Sequence, residues 1–305
     1  MSSIFSRSSS AAQSGGRPPA AVELTPDGIL AASLPAKNEP PVYAFEPLRP
    51  GVLVPGISEL NMSSPEAVSL AIRNALASVS PRSRAVTVVI PDTAVRVFVL
   101  DFDSLPARAT EAIPVLRFRL RKMVPFEVEH AGLSYQILSQ SKTEARVLVA
   151  VLPSNILEEY ETVVRAAGYE PGSVMPSALA ALATLESSEP LLAACLSKVA
   201  ITTSITRGDD LLLYRTLDLP DDPEQRLLEV QRSVAVAAAY YEDKVSVLPK
   251  ELYFAGNGTA TDFERWFGPS ELRIIDFAPR PSTGVATSLS NMSTAGLTGA
   301  LSGAV

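Results

Sequence analysis

One cysteine, one histidine and no long apolar run set the first limits on this 305-residue chain. A single cysteine, Cys195, excludes an intramolecular disulfide and a CxxC metal knuckle. Within "LLAACLS" it reads as a small buried apolar thiol, and the lack of disulfides favours a reducing compartment. A histidine-rich zinc site is excluded, and any Ser-His-Asp or Cys-His pair would have to use His130. At the end of "PFEVEH" that residue reads as a surface or packing side chain. No stretch approaches the roughly 20 apolar residues that span a bilayer. Positive charge is short as well: 26 Lys+Arg against 33 Asp+Glu leave a net −7, which argues against nucleic acid as the main partner.

What is present describes a globular protein. Hydrophobic residues make up 47% of the chain and charged residues 19%, a balance that can bury a core, and the length suits two lobes. The opening "MSSIFSRSSSAAQSGGRPP" is serine-rich, free of acids and without the apolar core of a secretory signal. It reads as a disordered tail over residues 1–19.

From there strands and helices alternate. "AAVELTPDGILAASLP" reads as two short strands around Pro26-Asp27-Gly28. Ser64-Pro65 opens a helix with Val68, Ile72, Leu76 and Val79 inward. "AVTVVIPD" and "AVRVFVLDF" are strand-like, as are "LSYQIL" and "RVLVAVLP". Ser154 reads as the cap of a helix that ends at Gly168, and a short helix starts at Ser177. After Pro190 the pattern begins again: three strands turning at Gly208-Asp209-Asp210, a long helix through Leu227, Val230, Val234, Ala237 and Tyr241, then "ELYFAGNG", a helix near "TDFERWFG" and "LRIIDFAP". Such alternation predicts an α/β protein, and the repeat across Pro190 predicts two similar lobes.

The densest charge lies at 117–122, where Arg117, Arg119, Arg121 and Lys122 crowd into one turn and a half. Ile113, Leu116, Leu120 and Met123 recur at helical spacing, which predicts one apolar face flanked by Arg117 and Arg121, with Phe118 and Lys122 pointing away. Pro125 stops the helix. Taken singly, each arginine reads first as part of a solvated face; the cluster as a whole tilts toward partner binding and toward anionic lipid. The acids nearby are weaker signals. Asp101 and Asp103 read as a turn and helix cap, Asp92 as a turn residue, and Glu127 and Glu129 as the wet side of a strand.

Several stretches taken in order carry a resemblance: "IPDTAVRVFVLDF", "LPARATEAIPVLRFRLRKMVPFEVEHAGLSYQIL", "VLVAVLP", "AAGYEPGSV", "LLEVQRSVAVAAAYYED" and "LYFAGNG". Together they resemble the PilM family of type IV pilus assembly proteins, which have an actin-like ATPase fold related to the cell-division protein FtsA. The match covers most of 20–280. It implies an actin-like (ribonuclease-H-like) two-lobed fold with a small inserted α/β subdomain: 20–92 with 172–188 as the first lobe, 93–171 as the insertion, 190–280 as the second lobe. Residues 281–305 would be a linker and a terminal helix, expected over 290–302.

Actin-like ATPases hold nucleotide between two Asp-x-Gly hairpins, with glycines on the adenosine side. By this resemblance Glu23 stands at the first acid and Thr25 at the first glycine. Ala194 falls at the second acid and Leu196 at the second glycine, where neither suits phosphate or metal. Lys198 remains within reach of a phosphate, and Thr202-Thr203 read as strand-face hydroxyls. Ala255-Gly256-Asn257-Gly258 keeps the third element. The expectation is a remnant cleft (Glu23, Thr25, Lys198, Gly256, Gly258) with no catalytic residue and no metal, and without ATP hydrolysis. The alternatives are a working Mg-ATP-dependent ATPase and a polymerising cytoskeletal or cell-division protein.

The resemblance also implies a partner: the N-terminal cytoplasmic peptide of a PilN-like inner-membrane protein, docked between the first lobe and the insertion. Arg117, Phe118, Arg121, Lys122, Pro125 and Phe126 are the residues expected to meet it. Other pilus platform proteins, an assembly ATPase and self-association stay open, and the location implied is cytoplasmic, peripheral to the inner membrane.

Overall fold

β1 (Ala20–Thr25) and β2 (Gly28–Ser33) are buried along both faces, so the hairpin they form must be covered from two sides. The computed structural model, which describes residues 17–35, 39–141, 143–277, 289 and 291–302, supplies both covers. The Thr25 hydroxyl closes the turn, donating to Gly28 O at 2.8 Å and accepting from Gly28 N at 3.2 Å. A Cβ on Gly28 would fall 2.4 Å from Glu46 O, so only glycine lets the next strand, β3 (Val42–Pro47), lie so close. Ser64 caps α1 (Pro65–Val79), which turns Val68, Ile72, Ala75 and Leu76 inward, and β4 (Ala85–Ile90) follows parallel to β1.

Between β4 and its parallel neighbour the chain builds a separate layer: β5 (Arg96–Phe102), α2 (Ala109–Leu120), β6 (Gly132–Gln140), β7 (Ala145–Leu152) and α3 (Ser154–Ala166). The chain then returns through β8 (Glu170–Pro176) and α4 (Ser177–Ala181). The second lobe comprises β9 (Pro190–Leu196), β10 (Ala200–Arg207), β11 (Asp210–Asp218), α5 (Pro223–Val245), β12 (Glu251–Gly256), α6 (Ala260–Phe267) and β13 (Arg273–Asp276). The two large sheets run β3-β2-β1-β4-β8 and β11-β10-β9-β12-β13. In each, the first three strands pair antiparallel and the last two add in parallel, so one topology is used twice.

The insertion is a three-stranded antiparallel sheet, β5-β7-β6, whose central strand sorts its residues by parity. Val147, Val149 and Val151 meet Ala112, Leu116 and Leu120 of α2. Leu148, Ala150 and Leu152 face the other way, into a core shared with α3 and the first lobe. Tyr160 of α3 is fully buried in that core and donates to Asn61 Oδ1 at 2.9 Å, while Glu159 accepts from Asn61 N and Met62 N. α2 therefore lies on the sheet face turned away from the first lobe.

Three local expectations change. Met123 is exposed, because α2 ends at Leu120 and the turn that follows swings Val124 inward in its place. Glu127 and Glu129 lie in a loop and not on a strand, since Pro125 breaks the chain before a ladder can form. Asp101 does not help cap α2; it sits opposite Arg146 across the β5–β7 ladder and accepts from it at 3.1 Å.

The final helix, α7 (Ala295–Leu301), falls within the expected 290–302 and packs on the first lobe. Leu297, Ala300 and Leu301 join Ala21, Leu30, Met175 and Ala180 in one apolar cluster. A Cβ on Gly299 would lie 1.8 Å from Ala180 O, so glycine permits backbone contact between α7 and α4. Arg17 donates to Gly299 O at 3.1 Å. Most of the expected tail, 1–16, and the linker at 281–288 lie outside the described residues.

Candidate functional site

The carboxyl ends of the parallel strands β1, β4, β9 and β12 meet between the lobes, which is where open α/β sheets place ligands. The cavity they leave is about 80 Å³, well below the roughly 300–1,000 Å³ of sites that hold drug-sized ligands. At its mouth Asp27, in the β1–β2 turn, pairs with Lys198, in the β9–β10 turn, at 3.2 Å. That ion pair ties together the two hairpins that would have to part around a phosphate.

Deeper in, the polar groups are held by few partners. Glu23 is only 6% exposed; Ser177 Oγ donates to its Oε1 at 2.5 Å, and Oε2 is buried without a hydrogen-bond partner. Burial pushes this carboxyl up to about 7, against the lowering effect of Ser177, and the nearby charge of Asp92 adds to the rise. Asp92 accepts from Ala178 N at 3.1 Å and from Tyr214 Oη at 2.9 Å, the latter a bond that crosses from the second lobe to the first. Burial pushes Asp92 up to about 6 despite these bonds. The Cys195 thiol, in the cleft wall, is pushed up first by burial and then by Asp92 and Glu23, so it is neutral and a poor nucleophile.

All five residues expected at a nucleotide remnant border this cleft or the shallow surfaces beside it. Three of them also hold local structure. Thr25 closes its own turn, and a Cβ on Gly256 would fall 2.5 Å from the Phe254 ring. Gly258 takes a φ of +83° and donates to Asn291 O at 2.9 Å. The second hairpin needs a correction of one residue: Ala194 points into the second lobe's core with Ile201 and Phe254, and Cys195 faces the cleft opposite Glu23. Strand alternation is the reason. Thr202 and Thr203 are buried in β10, Thr202 sharing a 2.9 Å hydrogen bond with Thr216. Asp92, Ser177 and Tyr214 were not singled out as cleft residues from the sequence. Asp92 had a usable signal, since it directly follows a strand ending "VVIP" at the ligand-binding edge of the sheet.

The second candidate surface belongs to α2. Arg117 donates to Ala131 O at 3.1 Å through one terminal nitrogen, while the other is buried without a partner. Arg121 donates to Glu129 at 2.6 Å, and that bond holds the Glu129 carboxyl below the usual range. Phe118 is 73% exposed, Lys122 and Pro125 are exposed, and Phe126 is half-buried against the subdomain core. The six residues thus gather on one side of the subdomain, but on its outer side and not at the seam with the first lobe.

No protein-family model matches this chain, and no curated protein matches it either. Solved structures do. A chain of the PilM-PilN type IV pilus biogenesis complex superposes over 94% of this chain and 98% of its own, with a TM-score of 0.75 at 19% identity. The cytoplasmic domain of EpsL, an inner-membrane component of the type II secretion system of Vibrio cholerae, covers 92% of this chain and 93% of its own, with a TM-score of 0.51 at 13% identity. The fold is actin-like. It is the two-lobed α/β form with an inserted subdomain, similar to the PilM-PilN chain over nearly the full length.

An actin-like fold raises the question of Mg-nucleotide, and the residues present do not fit it in this arrangement. The enclosed part of the cleft is only about 80 Å³, Lys198 at its mouth is committed to Asp27, and Glu23 carries no counter-charge within hydrogen-bond reach. A Cβ on Gly296 of α7 would lie 2.9 Å from Glu23 Oε2, so the C-terminal helix already occupies the space over that carboxyl. Among the described residues no group of three acidic, histidine or cysteine side chains could hold a metal.

Proposed function

We propose that this protein is a non-catalytic scaffold of a type IV pilus or a related secretion machine. In this reading it works on the cytoplasmic face of the inner membrane, tethered by the N-terminal cytoplasmic peptide of a PilN-like membrane protein, and it does not hydrolyse ATP. The observation that carries the reading is the near-complete superposition on a chain of the PilM-PilN complex. The tight cleft, closed by Asp27–Lys198 and overlain by α7, supports the non-catalytic part. No helix among the described residues is long and apolar enough to cross a membrane.

The peptide docks on the α2 surface. Arg117, Pro125 and Phe126 form its inner part, with Phe118, Arg121 and Lys122 at the rim. Arginines beside an exposed aromatic suit an extended segment that brings backbone carbonyls or a carboxylate. The test is a fluorescence-polarisation titration with the labelled N-terminal peptide of the PilN-like protein from the same source. Saturable binding, weakened at least about ten-fold by Arg117→Glu with Arg121→Glu, is the expected result. Unchanged affinity in that variant would remove the surface assignment, and no saturable binding to the wild type would remove the tether.

A further inference from the structure

α2 presents a face that neither the fold nor the peptide reading fully uses. Val115, Phe118 and Arg119, with Lys122 just past the helix end, follow the i, i+3, i+4, i+7 spacing and lie together on an exposed flank beside the buried Ala112, Leu116 and Leu120. Val115 is 37% exposed, Phe118 73%, and Met123 in the turn beyond adds 40%. Arg119 and Lys122 make no ion pair among the described residues. Between Ala112 and Phe126 the chain has four basic residues and no acid, in a protein of net −7. Of the flanking acids, Glu111 pairs with Arg108 at 3.8 Å and Glu129 with Arg121, while the exposed Glu127 makes no ion pair among the described residues.

We propose that this outer face of α2 rests on a bilayer rich in anionic headgroups, with Phe118 and Val115 entering the interface and Arg119 and Lys122 against the phosphates. A convex helix face with apolar residues in the middle and unpaired cations beside them matches a soft charged surface. An acidic protein surface would satisfy the cations as well, but it would need a preformed pocket for the protruding Phe118, which a soft interface does not. The charge asymmetry also orients the molecule, because the remaining acidic surface is repelled by the same bilayer. The inference does not depend on the peptide: Val115, Arg119 and Met123 belong to the bilayer face alone, whereas Phe118 and Lys122 border both.

The test floats the full chain with vesicles of equimolar phosphatidylglycerol and phosphatidylcholine, in about 50 mM salt so that screening is weak. Association should fall at least about ten-fold on pure phosphatidylcholine and again in Val115→Ser/Arg119→Glu/Met123→Ser, a change larger than the loss of one interfacial cation. These side chains are exposed, so circular dichroism and melting should match the wild type. A peptide titration of the same variant should be unchanged, which separates failure of this proposal from failure of the tether. Absence of flotation on anionic vesicles, equal flotation on neutral ones, or full flotation of the variant would each overturn it. Self-association through this face in place of flotation would overturn it too.

Discussion

The two lobes share a strand order and differ in what they bring to the cleft between them. From the first come Glu23 and Asp92, both buried and both pushed toward neutrality; from the second come Cys195 and Tyr214 at the corresponding depth, with Ala194 sealed in the core. The sheets are maintained by apolar packing on both faces, which tolerates any sequence of the right size and pattern. Binding of a charged ligand needs particular atoms at particular places. Here one hairpin brings an acid to the cleft and the other does not, so a shared strand order does not carry shared chemistry with it. The first lobe carries a further addition, α7, which the second lobe has no counterpart for among the described residues.

That asymmetry can be broken from the first lobe most severely. Gly299→Ala forces a methyl into Ala180 O and should cost about 3 kcal/mol, seen as a lower urea midpoint. A midpoint unchanged from wild type would mean that α7 is not docked as described. Next in size is the pH dependence set by Glu23. Its carboxyl keeps a proton in the folded state up to about 7 where the ordinary value is 4.5, so the folded state binds more protons than the unfolded one across that window. Stability must therefore fall as pH rises from about 4.5 to 7, by roughly 3 kcal/mol for a fully buried group. Glu23→Gln should flatten that slope and leave the variant more stable than wild type at pH 8; parallel pH profiles would contradict the buried, unpaired carboxyl. Asp92, raised to about 6, adds a slope of the same sign over a lower window.

Tyr214→Phe removes the hydrogen bond that crosses the lobes and should cost about 1–2 kcal/mol, since it leaves a buried Asp92 oxygen with one partner fewer. The smallest effect is expected at the mouth. Asp27 and Lys198 are both substantially exposed, so Lys198→Ala should change stability by less than about 0.5 kcal/mol. A loss comparable to that of Tyr214→Phe would mean the ion pair does more than bridge the turns.

Much of this architecture was legible in the chain. The turn at Pro26-Asp27-Gly28, the Ser64-Pro65 helix start and the repeat across Pro190 are written in local residues whose physics does not depend on distant partners. What could not be read were contacts made across the fold. Asp92 looks like a turn residue in sequence because nothing local shows that Tyr214 and Ala178 will close over it. The one-residue shift at the second hairpin, Cys195 for Ala194, follows from a parity that a run of five small or apolar residues does not display. α2 could be placed in the insertion, but which sheet face it covers depends on the parity of β7 and on the claim α3 makes to the opposite side.

The central claim is that this actin-like fold serves a partner and not a nucleotide. A thermal-shift titration of the full chain tests it most directly, with Mg-ATP in one series and the partner's N-terminal peptide in the other, because a ligand of the folded state must raise the melting point as its concentration rises. The account predicts a rise that grows with peptide and no change with Mg-ATP. A saturable rise with Mg-ATP would contradict it, and would mean that the Asp27–Lys198 closure opens to admit the nucleotide.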